Sequence, residues 1–117
     1  MKVLFVQERP FLATALKLTM RSKGFDLIMF EDDLPAICKI DEVKPQVVIA
    51  DISQQNALSF VEEAKKNNLP VIVISANGKE NELQQAFDKG ADDYICLPLS
   101  LSELALRVSL LTRSMVA

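Results

Sequence analysis

The sequence contains no histidine and only two cysteines, Cys38 and Cys96. A Cys/His zinc site needs four such ligands, so the composition excludes one, and both thiols are expected to be reduced and half-buried. No apolar run approaches the roughly 20 residues that cross a bilayer, and the first residues lack the apolar stretch and cleavage site of a secretory signal. We therefore expect no contact with a membrane and a cytoplasmic location.

Positive charge is also scarce and scattered. The chain has 13 Lys and Arg residues against 16 Asp and Glu residues, a net charge of −3, whereas nucleic-acid-binding domains gather cations into a patch. We expect this domain to bind no nucleic acid. With no repeat, low-complexity segment or Ser/Gly/Pro-rich linker, residues 1–117 are predicted to form one domain, alone or as the N-terminal part of a longer protein.

What the sequence does contain is an alternation of two apolar patterns. Five short apolar runs have the length of strands, at residues 3–6, 25–29, 47–50, 71–74 and 94–95. Residues spaced three and four apart, nearly all apolar, predict four helices between and after these strands. In chain order, the residues that show this spacing are Leu12, Ala15, Leu16 and Thr19; Leu58, Val61 and Ala64; Leu83, Ala86 and Phe87; and Leu101, Leu104, Ala105, Val108 and Leu111. A further helix is predicted over residues 34–43, capped by Asp33. Apolar strands of this kind are buried on both faces, so we predict a parallel sheet in a three-layer α/β sandwich.

Residues that begin and end helices agree with this division. Pro10 suits the first turn of a helix, and Ser100 is a suitable cap for the last one. Gly24 and Gly90 lie where a helix would end in a left-handed residue before the next strand.

In parallel sheets, ligands bind beyond the carboxyl ends of the strands. The residues at these ends are Gln7 and Glu8, Asp51 to Ser53, Ser75 and Ala76, and Cys96 to Pro98. Glu8 and Asp51 would project from neighbouring strand ends into one cleft, where two carboxylates repel each other unless a cation or a shared proton relieves them. Mg²⁺ suits such oxygen ligands.

Four segments resemble the receiver domains of bacterial two-component response regulators: KVLFVQERP, VVIADIS, VIVISA and GADDYICLPLS. The resemblance covers the whole chain. It implies a flavodoxin-like (βα)₅ fold with a five-stranded parallel sheet in the order 2-1-3-4-5. It also implies a signalling module, not an enzyme, that takes a phosphoryl group from a histidine kinase or phosphotransfer protein with the help of Mg²⁺.

The same resemblance implies roles for individual residues. Asp51 matches the phosphoacceptor, and Mg²⁺ would be held by Glu8, Asp51 and the backbone carbonyl of Ser53. Ser75 matches the hydroxyl residue that hydrogen-bonds the phosphoryl group. Tyr94 matches the aromatic residue that reports activation on the face formed by the fourth helix, fifth strand and fifth helix, through which a homodimer would form.

Three features depart from the family pattern. Gln7 stands where the family has its first acidic residue, which should weaken Mg²⁺ binding. Leu97 replaces the lysine that precedes the proline, and leucine neither donates a hydrogen bond nor carries charge. The segment ISQQNALSF after Asp51 lacks the usual Met-Pro pair and Gly, and is about two residues shorter than the family's common form. We therefore identify an atypical receiver whose phosphorylation switches weakly.

Simpler roles remain open for each residue. Asp51 and Ser75 could serve their local turns, Glu8 could pair with Arg9 on the surface, and Tyr94 could be a static aromatic. Two functions therefore compete: a phosphorylated switch, and a pseudo-receiver that acts as a dimerisation or docking module whatever its phosphorylation state. A phosphatase or flavin-binding protein has no support, because the turn QERP has no glycine to admit a phosphate.

Overall fold

A computed structural model of the chain describes residues 2–6, 10–30, 40, 42–52, 56–75, 79–96 and 100–112. Strands and helices alternate along it, and the labels used below number only the elements with stated bounds. The strands are β1 (Lys2–Val6), β2 (Asp26–Phe30), β3 (Val47–Asp51), β4 (Val71–Ser75) and β5 (Asp93–Cys96). The helices are α1 (Pro10–Ser22), α2 (Ala57–Lys66), α3 (Glu80–Asp88) and α4 (Leu101–Thr112). The predicted helix over residues 34–43 falls largely outside the described residues.

The five strands form one parallel sheet in the order β2-β1-β3-β4-β5, as predicted. Its register places Val6 opposite Ala50 and Asp51 opposite Ile74. Beyond that pair, the N–H of Ile52 donates to the carbonyl of Ile74 at 2.9 Å, which continues the ladder past the end of β3. The carboxyl ends of β1, β3 and β4 therefore lie side by side at one edge of the sheet.

The core consists of two apolar clusters, one on each face of the sheet. One cluster joins alternate strand residues to α1 and α4, through Met20, Leu104, Ala105 and Val108. The other joins the remaining strand residues to α2 and α3, through Phe60, Val61, Ala64 and Ala86. All five residues of β3 and of β4 are buried, because helices cover both faces of these central strands. The predicted three-layer sandwich is therefore confirmed.

Three of the helices end in the same hydrogen-bonded turn before the following strand. A residue with positive φ follows each one: Gly24 (φ 88°), Asn68 (φ 59°) and Gly90 (φ 110°). The next N–H then donates to a carbonyl five positions back, as from Phe25 to Met20 at 2.9 Å, which is the Schellman ending. The sequence predicts the two glycines. It does not reveal Asn68, although Asn is the next most common residue at this position.

Exposure differs from what apolar spacing suggests at a few positions. Ala15 on α1 and Phe87 on α3 are exposed although they belong to the apolar spacings that correctly predicted those helices. Cys96 is a free cysteine, as predicted, but it is exposed rather than half-buried, because β5 is an edge strand on which only Ile95 is buried. Cys38 lies outside the described residues. No helix within the described ranges is long and apolar enough to span a bilayer.

Candidate functional site at the carboxyl edge of the sheet

Asp51 is the last residue of β3 and follows four buried apolar residues. Only 7% of its surface is exposed. A carboxylate at this position gives up most of its hydration, which costs free energy unless polar groups or a cation compensate it. The structure therefore places Asp51, the predicted phosphoacceptor, at the edge of the core.

Ser75 occupies the corresponding position at the end of β4. It lies one residue beyond Ile74, the register partner of Asp51, and it is fully buried. In the next strand its register partner is Cys96, whose side chain is exposed. The structure thus brings the predicted hydroxyl residue to the same edge of the sheet as Asp51, on the adjacent strand.

Six of the residues predicted at this edge lie outside the part of the chain that the structure describes. They are Gln7, Glu8, Ser53, Ala76, Leu97 and Pro98. The described strand ends constrain where their segments start, since Val6 and Ala50 are paired neighbours in adjacent strands. The described ends of β1 and β3 are therefore neighbours at this edge of the sheet.

Within the described ranges, no three Cys, Asp or Glu side chains are grouped closely enough to hold a metal ion. Two of the three expected Mg²⁺ ligands, Glu8 and Ser53, are not in these ranges. Asp51 is, and a carboxylate oxygen is a ligand that suits a hard divalent cation. The described part of the site therefore fits Mg²⁺ through one of its ligands.

Tyr94 lies on β5 opposite Val73, and its side chain is exposed. Its ring packs against that of Phe87 on α3, with 5.8 Å between the ring centroids and an angle of 86° between the planes. This edge-to-face arrangement is a favourable one for aromatic pairs. Tyr94 therefore lies on the face of α3, β5 and α4, and its role there as a switch stays a prediction.

A charged network on this face was not predicted from the sequence. One guanidinium nitrogen of Arg107 lies 2.9 and 2.8 Å from the two carboxylate oxygens of Asp93, and the other lies 3.2 Å from Glu103. The hydrogen bonds that Arg107 donates to Asp93, followed by the charge of Asp93 and by the contact with Glu103, raise the pKa of Arg107. Because the pKa is raised in the folded protein, the charged guanidinium stabilises the fold. This contribution is fully present at any pH below the ordinary pKa of arginine and is lost only as the pH rises through the raised pKa. The Arg107 guanidinium is therefore fully protonated at neutral pH.

A five-stranded parallel sheet in this order, with a buried aspartate at the carboxyl end of its central strand, defines a flavodoxin-like α/β domain. The family model of the response regulator receiver domain matches residues 3–109 of this chain. The chain belongs to the response regulator receiver domain family. Receiver domains are phosphoryl-accepting signalling modules that bind Mg²⁺ and interact with histidine kinases or phosphotransfer proteins.

Individual relatives agree with this assignment. The transcriptional regulatory protein TrcR of Mycobacterium tuberculosis is 30% identical over 118 residues, which cover 97% of this chain and 46% of TrcR. The chain spans about half the length of the curated relatives that it matches. Among solved structures, HP1043, an orphan response regulator of H. pylori, is 30% identical with a TM-score of 0.85, over 94% of each chain.

A second solved structure extends the likeness in fold. The receiver domain of the sensor histidine kinase PA1611 from Pseudomonas aeruginosa is 19% identical with a TM-score of 0.81, over 94% of this chain and 95% of its own. It contains a magnesium ion coordinated in its active-site cleft. At this identity the comparison shows the shared fold alone.

Proposed function

We propose that Asp51 accepts a phosphoryl group from a histidine kinase or a phosphotransfer protein. The observation that carries this proposal is the burial of Asp51 at the carboxyl end of a central, fully buried strand. A carboxylate oxygen of Asp51 attacks the phosphorus and forms an O–P bond, while the N–P bond to the donor imidazole breaks and the imidazole leaves with the electron pair. Ser75, buried at the end of the next strand, donates its hydroxyl hydrogen to a phosphoryl oxygen.

Glu8, the Asp51 carboxylate and the backbone carbonyl of Ser53 would hold Mg²⁺ in this proposal. The pairing of Val6 with Ala50 supports it, because Glu8 follows β1 by two residues and Ser53 follows β3 by two. When bound, Mg²⁺ offsets the repulsion between the incoming phosphoryl oxygens and the carboxylates. Gln7 has an amide oxygen that could accept a hydrogen bond from a metal-bound water but has no charge, so we propose that this binding is weak.

We further propose that phosphorylation switches the domain only weakly. Leu97 stands at the lysine position of the family, and a leucine side chain cannot pair with phosphoryl oxygens. Without that pairing, occupation of the site is poorly linked to the face that contains Tyr94. The ion pair between Arg107 and Asp93, which joins α4 to β5, adds resistance to movement of that face.

A second candidate function is a docking or dimerisation module that works without phosphorylation. Exposed apolar side chains on the face of α3, β5 and α4 favour it. Leu106 and Leu110 on α4 are 59% and 55% exposed, and the aromatic pair of Phe87 and Tyr94 lies exposed on the adjoining elements. Contiguous exposed apolar side chains are typical of interaction surfaces, and this second proposal takes these four to act as one patch. The partner most simply supplied is a second copy of the chain.

Two reagents, each used with Mg²⁺, test the first proposal. Acetyl phosphate phosphorylates an acceptor aspartate and should add the mass of one phosphoryl group. Beryllofluoride mimics the phosphoryl group on an aspartate and should change the tyrosine fluorescence only slightly. Because the chain has one tyrosine and no tryptophan, this fluorescence reports on Tyr94 alone. Asp51→Asn should abolish both responses, whereas Asp26→Asn, at an exposed carboxylate on the opposite edge, should change neither.

Absence of a mass change in the unaltered protein would contradict the phosphoacceptor role and favour the docking module. A mass change with a large fluorescence response would contradict weak switching. The docking module predicts a dimer by light scattering, unaffected by beryllofluoride and disrupted by Leu106→Ser together with Leu110→Ser. Leu18→Ser, on α1, is the matched control because Leu18 is a similarly exposed leucine.

A further inference from the structure

Phe87 and Tyr94 are in ring contact although both side chains are open to water. They are 40% and 41% exposed, their ring centroids lie 5.8 Å apart and the planes meet at 86°. Burial of apolar area holds a core side chain in its rotamer, and side chains as exposed as these gain less from it. The edge-to-face contact is therefore a larger share of what fixes the orientation of the two rings.

The backbone at Phe87 is fixed by the turn that ends α3. The carbonyl of Phe87 accepts the N–H of Gly90 at 3.0 Å, and the carbonyl of Ala86 accepts the N–H of Ala91 at 3.1 Å. Ala86 and Ala91 are both buried in the same apolar cluster. The last turn of α3 is therefore anchored on the sheet, and the Phe87 ring projects from a fixed point.

Tyr94 also projects from anchored backbone. It is the register partner of Val73 in the sheet, and its N–H donates to Oδ1 of Asp93 at 2.8 Å. Asp93 is in turn held by Arg107. Because the backbone is anchored on both sides of the contact, the two rings separate most easily by rotation about side-chain bonds. The rotamer of Tyr94 is therefore the quantity that contact with Phe87 can control.

Tyr94 and Ser75 are on the same face of the sheet. Side chains alternate between the two faces along a strand. Val73 belongs to the apolar cluster on the side of α2 and α3, so Ser75, two residues further along β4, is on that side as well. Tyr94 is on that side because it is the register partner of Val73. Ser75 is thus a diagonal neighbour of Tyr94, about 8 Å away between Cα atoms, a separation that an aromatic side chain can bridge.

Phe87 and Ser75 lie towards opposite ends of the strands. α3 ends at Asp88 and a short turn leads to the start of β5 at Asp93, so the last turn of α3 lies beside the amino end of β5. Ser75 is the last residue of β4 and lies at the carboxyl edge of the sheet. A turn of the Tyr94 ring towards Ser75 therefore gives up its contact with Phe87.

We propose that Phe87 is a positioning residue that retains Tyr94 in the orientation of this structure and opposes a turn of its ring towards Ser75. An edge-to-face contact changes the ratio between two rotamers by about twofold to tenfold, which biases the tyrosine without locking it. Retention acts in the unphosphorylated protein, whereas its effect on signalling rests on the proposed phosphorylation of Asp51. Phe87 then weakens switching by a cause that is independent of Leu97.

NMR of protein in which the single tyrosine is isotope-labelled tests the retention itself. Three-bond couplings give the χ1 rotamer populations of Tyr94, and the unaltered protein should have one predominant rotamer. Phe87→Leu and Phe87→Ala remove the ring at an exposed position, and each should lower the ratio of that rotamer to the others by about twofold to tenfold. Phe87→Trp, which keeps an aromatic ring, should preserve the ratio, as should Leu18→Ala at an exposed leucine on α1. An unchanged ratio in both Phe87→Leu and Phe87→Ala overturns the proposal.

Beryllofluoride with Mg²⁺ tests the effect on signalling. The change in Tyr94 rotamer populations should be at least about twofold larger in Phe87→Leu than in the unaltered protein, and absent when Asp51→Asn is added to Phe87→Leu. The mass change with acetyl phosphate separates two kinds of failure. No mass change in either protein would contradict the phosphoacceptor role of Asp51, and the rotamer ratio without beryllofluoride would still decide the retention. A mass change in both proteins without a larger response in Phe87→Leu would overturn the role of Phe87 in signalling.

Discussion

Arg107 and Asp93 join the last helix to the edge strand of the sheet. One guanidinium nitrogen lies within 2.9 Å of both carboxylate oxygens, and the side chains are 38% and 25% exposed. The next residue of the strand is Tyr94, whose own N–H donates to Asp93 at 2.8 Å. The ion pair therefore holds in place the strand that presents the tyrosine.

Removal of this ion pair should destabilise the fold modestly. Because both side chains are partly exposed, water screens the attraction, and we expect Arg107→Gln to cost no more than about 1 kcal/mol, a few degrees in melting temperature. Circular dichroism during heating measures the change, and molar salt should reduce it. Lys66→Gln is the control, because the Lys66 ammonium lies 4.0 Å from Glu63 and is 74% exposed. Equal losses in the two variants would contradict the expectation.

Asp92 is expected to contribute to stability because one of its oxygens joins two separate segments, α2 and the start of β4. It accepts the N–H of Val71 at 2.8 Å and the ammonium of Lys65 at 2.9 Å. Asp92→Ala leaves the partly buried N–H of Val71 without its acceptor. It should lower the free energy of unfolding, measured by urea denaturation, by about 1–2 kcal/mol. Asp92→Asn keeps an oxygen for Val71 and should cost less. Asp88→Ala, which removes only an exposed contact with Gln84, should cost less than Asp92→Ala; a similar loss would contradict this ranking.

Gly90 and Gly24 provide a matched pair for the effect of a left-handed helix ending. Alanine in either position should cost about 1–2 kcal/mol, because the backbone there has positive φ. Gly90→Ala should cost more, since its Cβ would lie 2.8 Å from Cγ of Lys65, whereas the Cβ at Gly24 would meet nothing within 4 Å. Shortening Lys65 to alanine in the Gly90→Ala background should remove this excess in a double-mutant cycle. An equal cost at both glycines would rule out the contact.

The fold could be predicted in detail from the sequence because its central elements are governed by burial. β3 and β4 are continuous apolar runs, and the structure extends each predicted strand by a single polar residue, Asp51 and Ser75. At the edge of the sheet, apolar periodicity did not predict which side chains are buried. Phe87 is apolar yet exposed, because β5 is an edge strand and no described element covers the aromatic pair on its outer side. Periodicity predicts a helix but does not show whether anything covers it.

The site was predictable only where strand ends determine it. Asp51 and Ser75 could be placed from the ends of apolar runs, and the structure confirms their position at one edge. The ion pair between Asp93 and Arg107 could not, because the partners are 14 positions apart and nothing in the spacing links them. Only the contact between Glu103 and Arg107 could have been predicted, because two opposite charges four residues apart on one helix are neighbours.

Restoring the acidic residue at position 7 should strengthen Mg²⁺ binding. Gln7→Asp adds a negative charge to the segment that follows β1, and charged oxygen ligands raise the affinity for divalent cations. We expect a gain of about tenfold, or 1.4 kcal/mol, in a Mg²⁺ titration followed by NMR at the Asp51 amide. Gln84→Asp places the same charge on the exposed surface of α3. A similar gain in that variant would assign the effect to overall charge and not to the site.

Restoring lysine at position 97 should strengthen the link between the occupied site and Tyr94. An ammonium group there would pair with the fluorides of beryllofluoride or with phosphoryl oxygens, a charge-assisted interaction worth about 1.5–3 kcal/mol. Leu97→Lys should therefore increase beryllofluoride affinity at least about tenfold and enlarge the fluorescence response of the single tyrosine. Leu106→Lys, which adds the same charge at an exposed leucine on α4, should do neither. If both variants behaved alike, Leu97 would not be the cause of weak switching, and the docking module would become the better account of this domain.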